Sequence, residues 1–284
     1  MEILEKKIGE QKYFYLRHHL RKNKRVIVKE RYLGKKVPDN VRDIEADFWK
    51  EIQRELYKKL EMIKSNWQTE WKRYPESMKE KLKEEISIAF TYNTNAIEGS
   101  TITLGEAREI IHDKVSPNKP IREVRETEAH SKVFLQMLDI KEKITRELLL
   151  RWHFEIFGET KEDIAGKFRD YPVKVGEHRA PDWQDIEDMT ARLIEFISTE
   201  KMNAVELSAR VHYRFEKIHP FGDGNGRVGR LLMNHILWHA SYPMLIIEYK
   251  KRRSYYKALQ KDEESFVNYF IRRYLSVHNK RMSN

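Results

Sequence analysis

The chain has 284 residues, with 55 Lys and Arg against 45 Asp and Glu, a formal charge of +10. Hydrophobic residues make up 40% of it, enough for a packed core, which excludes wholesale disorder. The absence of cysteine excludes disulfide scaffolds, thiolate metal sites and thiol catalysis, and no apolar run approaches the roughly 18 residues of a membrane helix. The opening Met1-Glu-Ile-Leu-Glu-Lys-Lys7 lacks the apolar centre of a signal peptide, so the expected location is cytoplasmic, with no membrane partner.

Residues 1–36 hold 12 Lys and Arg against 4 Asp and Glu, so most of the net charge sits in a basic tip. Within it, Tyr13-Phe-Tyr-Leu16 and Arg25-Val-Ile-Val28 are β-favouring runs around the cationic turn Arg21-Lys-Asn-Lys24. They predict a small β-hairpin over 1–38. Lysines that keep a strand edge from pairing explain this charge better than a phosphate contact. No base-reading motif accompanies it, so nucleic acid is not the expected partner.

After Pro38 the pattern is helical with short breaks. A helical extension is expected over 39–90, with helices from Val41 to about Met62 and from Glu76 to Ile97, the latter stopped by Gly99. Thr103-Leu-Gly-Glu106 is a capping box opening a helix to about His112. Helices follow over 122–141, 145–157 and from Asp182 to about Ser198. Asn203-Ala-Val-Glu206, read as a second capping box, opens one that ends at His219-Pro220. A helix from Asn225 to Ala240 and a last pair near 253–260 and 263–277 complete the series. Tyr171 to Ala180, with Val173 and Val175 alternating around a Gly-Glu turn, predicts a second hairpin.

The informative segment is His219-Pro-Phe-Gly-Asp-Gly-Asn-Gly-Arg-Val-Gly-Arg230. Gly224-Asn225-Gly226 permits backbone angles that aim successive N–H groups inward as an anion nest. The next helix begins there, and the positive end of its dipole favours phosphate. Arg227 and Arg230 lie three apart, so both can face one anion. Asp223 would repel bare phosphate unless a cation intervened, and Mg²⁺ takes one carboxylate plus substrate phosphates. Histidine is a base near neutral pH, so His219 suits deprotonation of an attacking hydroxyl. Each part alone is common; the eight constrained positions together arise by chance on the order of 10⁻⁸ per chain of this length.

These residues resemble the HxFx(D/E)GNGRxxR signature of the Fic family, with further similarity from about Thr91 to Gln260, including Gly166-Lys-Phe-Arg169 and Leu231-Leu-Met-Asn234. The resemblance implies a mainly α fold, a Fic-type helical core over 91–284 with a β-hairpin flap (166–180). The small basic N-terminal β-hairpin and helical extension would precede it. It implies a protein adenylyltransferase that moves AMP from Mg-ATP to a Ser, Thr or Tyr hydroxyl of a target protein. By that likeness His219 would be the base, Asp223 would hold Mg²⁺, and Gly224, Asn225 and Gly226 would cradle phosphate oxygens. Arg227 and Arg230 would neutralise the departing phosphates, and Phe221 would anchor the loop. Val173, Lys174, Val175 and Gly176 would form the flap that pins a target segment by strand addition. Tyr255 and Tyr256 would wall the nucleobase, although Glu263 stands where some relatives carry Asn.

Doc-type kinases have lysine where this chain has Gly226, which favours adenylylation over phosphorylation. Thr94-Asn-Ala-Ile-Glu98-Gly99 resembles the family's inhibitory motif (S/T)xxxE(G/N), here in a segment over 91–99. It implies that Glu98 pairs with Arg230 and silences the enzyme; in some relatives the same glutamate serves AMP removal. The alternatives are another Fic-type transferase, moving phosphate or a different nucleotide, and a nucleic-acid-binding module with a vestigial motif. Family members often dimerise, so a homodimer stays open. A zinc hydrolase is disfavoured: no HExxH pair occurs, and His212 with His219 names no third ligand.

Overall fold

The computed structural model describes residues 1–22, 25–175 and 178–282. It divides into two compact units, 1–62 and 63–284.

In the first unit, β1 (Glu2–Ile8), β2 (Gln11–Lys22) and β3 (Arg25–Gly34) form an antiparallel sheet in that order. The expected hairpin is β2–β3, whose cationic turn at Asn23 and Lys24 lies outside the described residues. The third strand, β1, was not expected: its register Glu5↔Phe14 and Lys7↔Lys12 places a charged sequence on a sheet edge, where charge blocks further pairing. Leu16, Phe48 and Ile52 are the buried centre of this unit, with Leu33, Val41, Ile44 and Trp49 against them. Phe48 and Ile52 come from the start of α1 (Val41–Arg73).

The second unit takes up the C-terminal part of α1 and all that follows. The helix runs 11 residues past the expected Met62 because Trp67 and Trp71, one turn apart, pack on each other and on Trp238 (5.1 and 5.3 Å for Trp67–Trp71 and Trp71–Trp238). That partner is remote in sequence, so local periodicity could not reveal it. Next come α2 (Glu76–Ile97), α3 (Leu104–Arg108), α4 (Ile121–Asp139), α5 (Arg146–Phe157), α6 (Ile186–Thr199), α7 (Ala204–Ile218), α8 (Asn225–His239), α9 (Arg252–Leu259) and α10 (Glu263–Val277). The first capping box is formed: Glu106 N–H donates to Thr103 Oγ1 and Thr103 N–H to Glu106 Oε2 (3.3 and 2.8 Å). At the second, Asn203 Oδ1 accepts from Val205 N–H, and the Glu206 carboxylate also pairs with Arg210.

Every residue of α8 from Asn225 to Leu237 is buried, so this helix is the axis of the unit. Phe215 and Val211 of α7, Phe134 of α4, Phe90 of α2 and Trp152 of α5 pack in the core around it. Burying α8 on all sides fixes its N-terminus, which opens the motif, against helices that approach from several directions. The flap is a short ladder, β4 (Lys174–Val175) with β5 (His178–Arg179), closed by Ala180 N–H to the Val173 carbonyl (3.1 Å). Among the described residues no helix is long and apolar enough to cross a membrane.

Candidate active site

The helix α7 ends at His219, whose left-handed backbone (φ 51°) turns the chain sharply before Pro220. A non-glycine residue holds that conformation only when its surroundings enforce it. Here Arg169 does so: its guanidinium donates to the carbonyls of His219, Tyr171 and Pro181 (2.8, 3.0 and 2.7 Å). Arg169 N–H also donates to the Pro220 carbonyl at 2.9 Å. One buried arginine thus bolts the base of the flap to the motif loop.

The loop is closed from inside by Asn225. Its side chain accepts from Phe221 N–H and donates to the Phe221 carbonyl (2.9 and 2.8 Å). The amide is therefore spent on the loop, and the Asn225 backbone N–H is the group left to face an anion. Phe221 is fully buried and stacks on His153 (4.0 Å between ring centres). His153 Nδ1 accepts from Gly166 N–H, which leaves Nε2–H to donate to the Asp223 carbonyl (3.0 and 2.9 Å). Burial pulls His153 down to about 4, so it stays neutral and fixes Asp223. Neither His153 nor Arg169 was assigned a role from sequence; both precede the motif by tens of residues, though Arg169 closes the Gly-Lys-Phe-Arg run.

Asp223 Oδ1 accepts from Gly224 N–H (2.6 Å), while Oδ2 meets the Lys161 ammonium (2.5 Å). Burial would raise this carboxyl, but the Lys161 hydrogen bond, together with the charges of Lys161 and Arg227, holds it below the usual range. Arg227 is 6% exposed, ion-paired with the buried Glu126, and lies over the Phe157 ring. Its charge is therefore balanced from within. Arg230 is 1% exposed. Its Nη2 donates to Glu98 Oε1 (2.6 Å) and to the Thr94 carbonyl (3.3 Å), and the Glu98 carboxylate raises its pKa against the opposing effect of burial.

Glu98 sits at the C-terminal end of α2, and Gly99 after it has φ 94°. A Cβ built on Gly226 would come within 2.2 Å of Glu98 Oε1 and 2.9 Å of the Arg230 guanidinium. The Glu98 carboxylate thus lies directly over the first turn of α8. Asn95, one turn earlier in α2, is anchored to Thr127 and His130 of α4 (3.2 and 3.1 Å). Behind Arg230 lies a second carboxylate, Glu216, whose Oε1 has no hydrogen-bond partner among the described residues. Burial, with the Glu98 charge adding to it and the Arg230 charge opposing it, pushes Glu216 up to about 7.

Tyr255 and Tyr256 are separated by the structure. Tyr255 is fully buried and its hydroxyl meets His212 Nε2 (2.8 Å) and Arg230 Nη1 (3.5 Å). It braces the arginine from within the core. Tyr256 is 41% exposed and donates to the Ile97 carbonyl (3.2 Å), beside Glu98. Glu263 pairs with Arg210 and Arg214 (2.9 and 3.0 Å). In the flap, Lys174 is exposed, Val175 is described by its backbone, and Gly176 lies outside the described residues.

A cavity of about 110 Å³ opens among Glu98, Ser100, Glu126, Lys161, Asp223 and Arg227. A larger one, about 360 Å³, lies between α4 and α5 beside Arg125, Lys132 and Glu155, and holds no motif residue. The smaller one carries the converging chemistry. Among the described residues, no three His, Cys, Asp or Glu side chains are grouped to hold a metal ion.

The helical core, its buried axis and the motif at the head of that axis define a Fic-type fold. Residues 143–237 match the model of the Fic/DOC family, and the chain carries a domain of that family. A Fic family protein from Desulfovibrio desulfuricans G20 superposes with a TM-score of 0.69 at 26% identity, over 80% of this chain and 72% of that one. Fic-1 from C. elegans gives 0.68 at 24%, over 85% and 74%. The protein adenylyltransferase Fic of Nematostella vectensis is 34% identical over 203 residues, 69% of this chain and 47% of that protein. That of Culex quinquefasciatus is 34% identical over 66% of this chain and 39% of that protein. The chain thus spans about half the length, or less, of the curated relatives it matches.

Proposed function

We propose that this chain is a protein adenylyltransferase held inactive by Glu98. The observation that carries the reading is the place of the Glu98 carboxylate, 2.6 Å from Arg230 Nη2 and over Gly226 at the head of α8. A helix N-terminus flanked by buried arginines is a phosphate site, and an internal carboxylate lies where a phosphate would go. The small cavity fits this: about 110 Å³ is less than the roughly 300 Å³ at which small-molecule sites begin.

With Glu98 withdrawn, Arg230 would be free to face the γ-phosphate, and the N–H groups of Asn225 and Gly226 would take phosphate oxygens. Burial and the Arg169 charge lower His219, with the Glu216 carbonyl opposing, so its imidazole is neutral at neutral pH. Nδ1 faces the Glu216 carbonyl at 3.4 Å, which leaves Nε2 to accept the proton of a target hydroxyl. The hydroxyl oxygen then bonds to the α-phosphorus as the bond to pyrophosphate breaks, giving an AMP ester on the target.

The residues fit a divalent cation: Asp223 is a half-exposed hard oxygen donor whose Oδ2 already attracts a cation. Asp223 would hold Mg²⁺, with phosphate oxygens and water completing its shell, as that ion prefers. When bound, the ion would offset phosphate charge. Removal of AMP by the same site is part of the proposal, with Glu98 acting on water. The target hydroxyl would be presented against Val173 and Lys174 of the flap by strand pairing, and Tyr256 is the aromatic left to face a nucleobase.

Incubation with Mg-ATP labelled at the α- or γ-phosphate tests the reaction class. Label from the α-position appearing on protein, with an AMP mass increment, is the expected result. Transfer of γ-label alone would make the chain a kinase and end this reading.

A further inference from the structure

Lys161 lies outside the motif, in the loop after α5, and its side chain is 10% exposed. Its ammonium meets Asp223 Oδ2 at 2.5 Å and Glu126 Oε1 at 3.4 Å, and stands 4.7 Å from the centre of the Phe157 ring. The same ring carries the Arg227 guanidinium at 4.2 Å. A Cβ on Gly224 would come within 2.3 Å of it, so Phe157 also supports the turn into α8. Phe157 is thus a common platform for Lys161, Arg227 and the head of the motif helix. The ammonium lines the same cavity as Glu98 and Asp223.

We propose that Lys161 is a further nucleotide-binding residue, which holds the Asp223 carboxylate in the nucleotide-free site and moves onto a phosphate oxygen when a divalent cation takes Asp223. This rests on the Mg-nucleotide reading above. An ammonium and a metal ion in contact with one carboxylate repel each other at short range, so a divalent cation on Asp223 favours departure of the ammonium from Oδ2. Glu126 and the Phe157 face keep it within the cavity, and Glu126 is already neutralised by Arg227. The uncompensated negative charge that remains is the incoming triphosphate.

The consequence is a crossed effect on two affinities. In the full chain carrying Glu98→Gly, Lys161→Met should bind Mn²⁺ alone several-fold more tightly, read by electron paramagnetic resonance, because its competitor is gone. The same change should weaken Mg-ATP by about tenfold in calorimetry, the effect of one lost charge-assisted hydrogen bond. Lys161→Arg should keep most of the ATP affinity. Lys161→Gln serves the same comparison if the methionine variant fails to fold. Unchanged Mg-ATP affinity on removing the ammonium would overturn the proposal, even if Mn²⁺ bound more tightly. If the Glu98→Gly chain with Lys161 intact binds no Mg-ATP, the nucleotide reading falls and this inference with it.

Discussion

The N-terminal sheet and the head of α8 are both crowded with charge, yet their ion pairs differ in kind. In the sheet, Glu30 receives Lys6 and Arg17 (2.6 and 2.8 Å), and Arg31 meets Glu51 (2.5 Å) with the carboxylate half exposed. Around α8, Arg230 at 1% and Arg227 at 7% side-chain exposure pair with Glu98 and Glu126. Exposed pairs contribute little, because water solvates each partner almost as well as the other does. Buried pairs are costly to assemble and costly to break, so removing one partner leaves a stranded charge. Most of the chain's net charge sits in the region where charge matters least. Burial, which composition does not report, separates the two.

The sharpest way to sharpen this contrast is at the reacting group. His219→Ala should lower transfer by at least about 10³-fold, within the usual range for a general base, while Mg-ATP binding to the Glu98→Gly chain stays within a few fold. The proposed phosphate contacts come from α8 and its arginines, so binding and chemistry separate. Transfer at the parent rate in the alanine variant would remove His219 from the mechanism. Because burial lowers its pKa, the acid limb of the pH–rate profile should lie below the ordinary histidine value of about 6.5.

The second prediction concerns Glu216, the carboxylate buried behind Arg230. Its folded-state pKa is raised to about 7, against about 4.3 in an unfolded chain. Between those values the folded state binds the proton and the unfolded state does not, so stability falls as pH rises through that window. Above it both states are ionised and the loss is complete. Glu216→Gln removes the titration and should flatten this part of the curve, gaining on the order of 2 kcal/mol over wild type at pH 8 relative to pH 4.5. Urea denaturation at several pH values measures it. Parallel curves for the two proteins would mean that Glu216 is already ionised and compensated at low pH.

Much of the fold was legible because its signals are local. The Thr103–Glu106 capping box, Gly99 after α2 and the glycines of the motif announce themselves within a few residues, and the helices they bound are present. What was hidden depends on partners far along the chain. Trp67 and Trp71 prolong α1 through Trp238, and the charged strand β1 exists because β2 pairs with it. The same holds at the site. Motif residues were named from spacing, but Lys161, Glu126 and His153 come from other elements, and nothing in their own neighbourhoods marks them. Tyr255 and Tyr256 part for a related reason: an aromatic pair shows no sign of which ring the core will claim.

Glu98→Gly tests the buried side of the comparison at the proposed brake. The substitution removes the carboxylate over Gly226 and frees Arg230, so self- or target adenylylation should rise at least about tenfold, equivalent to about 1.4 kcal/mol of barrier. Because Glu98 belongs to the same chain, its local concentration is high and excess ATP should not mimic the effect. Any AMP-removing activity should be lost in the same variant. Equal adenylylation rates with and without Glu98 would show that the ion pair is structural.

The smallest effect is expected in the sheet. Glu30 accepts from both Lys6 and Arg17, and those bonds hold its carboxyl below the usual range, which invites the conclusion that it matters to stability. Its surroundings argue otherwise. Lys6 and Arg17 are 39% and 26% exposed, so water replaces most of what the carboxylate gives them. Both can also turn to other partners, since Arg17 lies 4.0 Å from Glu2 and Lys6 stands 4.7 Å from the Tyr15 ring. Glu30→Gln in the full chain should leave the melting midpoint within about 2 °C of wild type, as for most exposed pairs. Whatever difference remains at low salt should fade above about 0.15 M, where the screening length falls to roughly 8 Å. A loss of several degrees that persists at high salt would place Glu30 among the buried pairs and erase the distinction between the two regions.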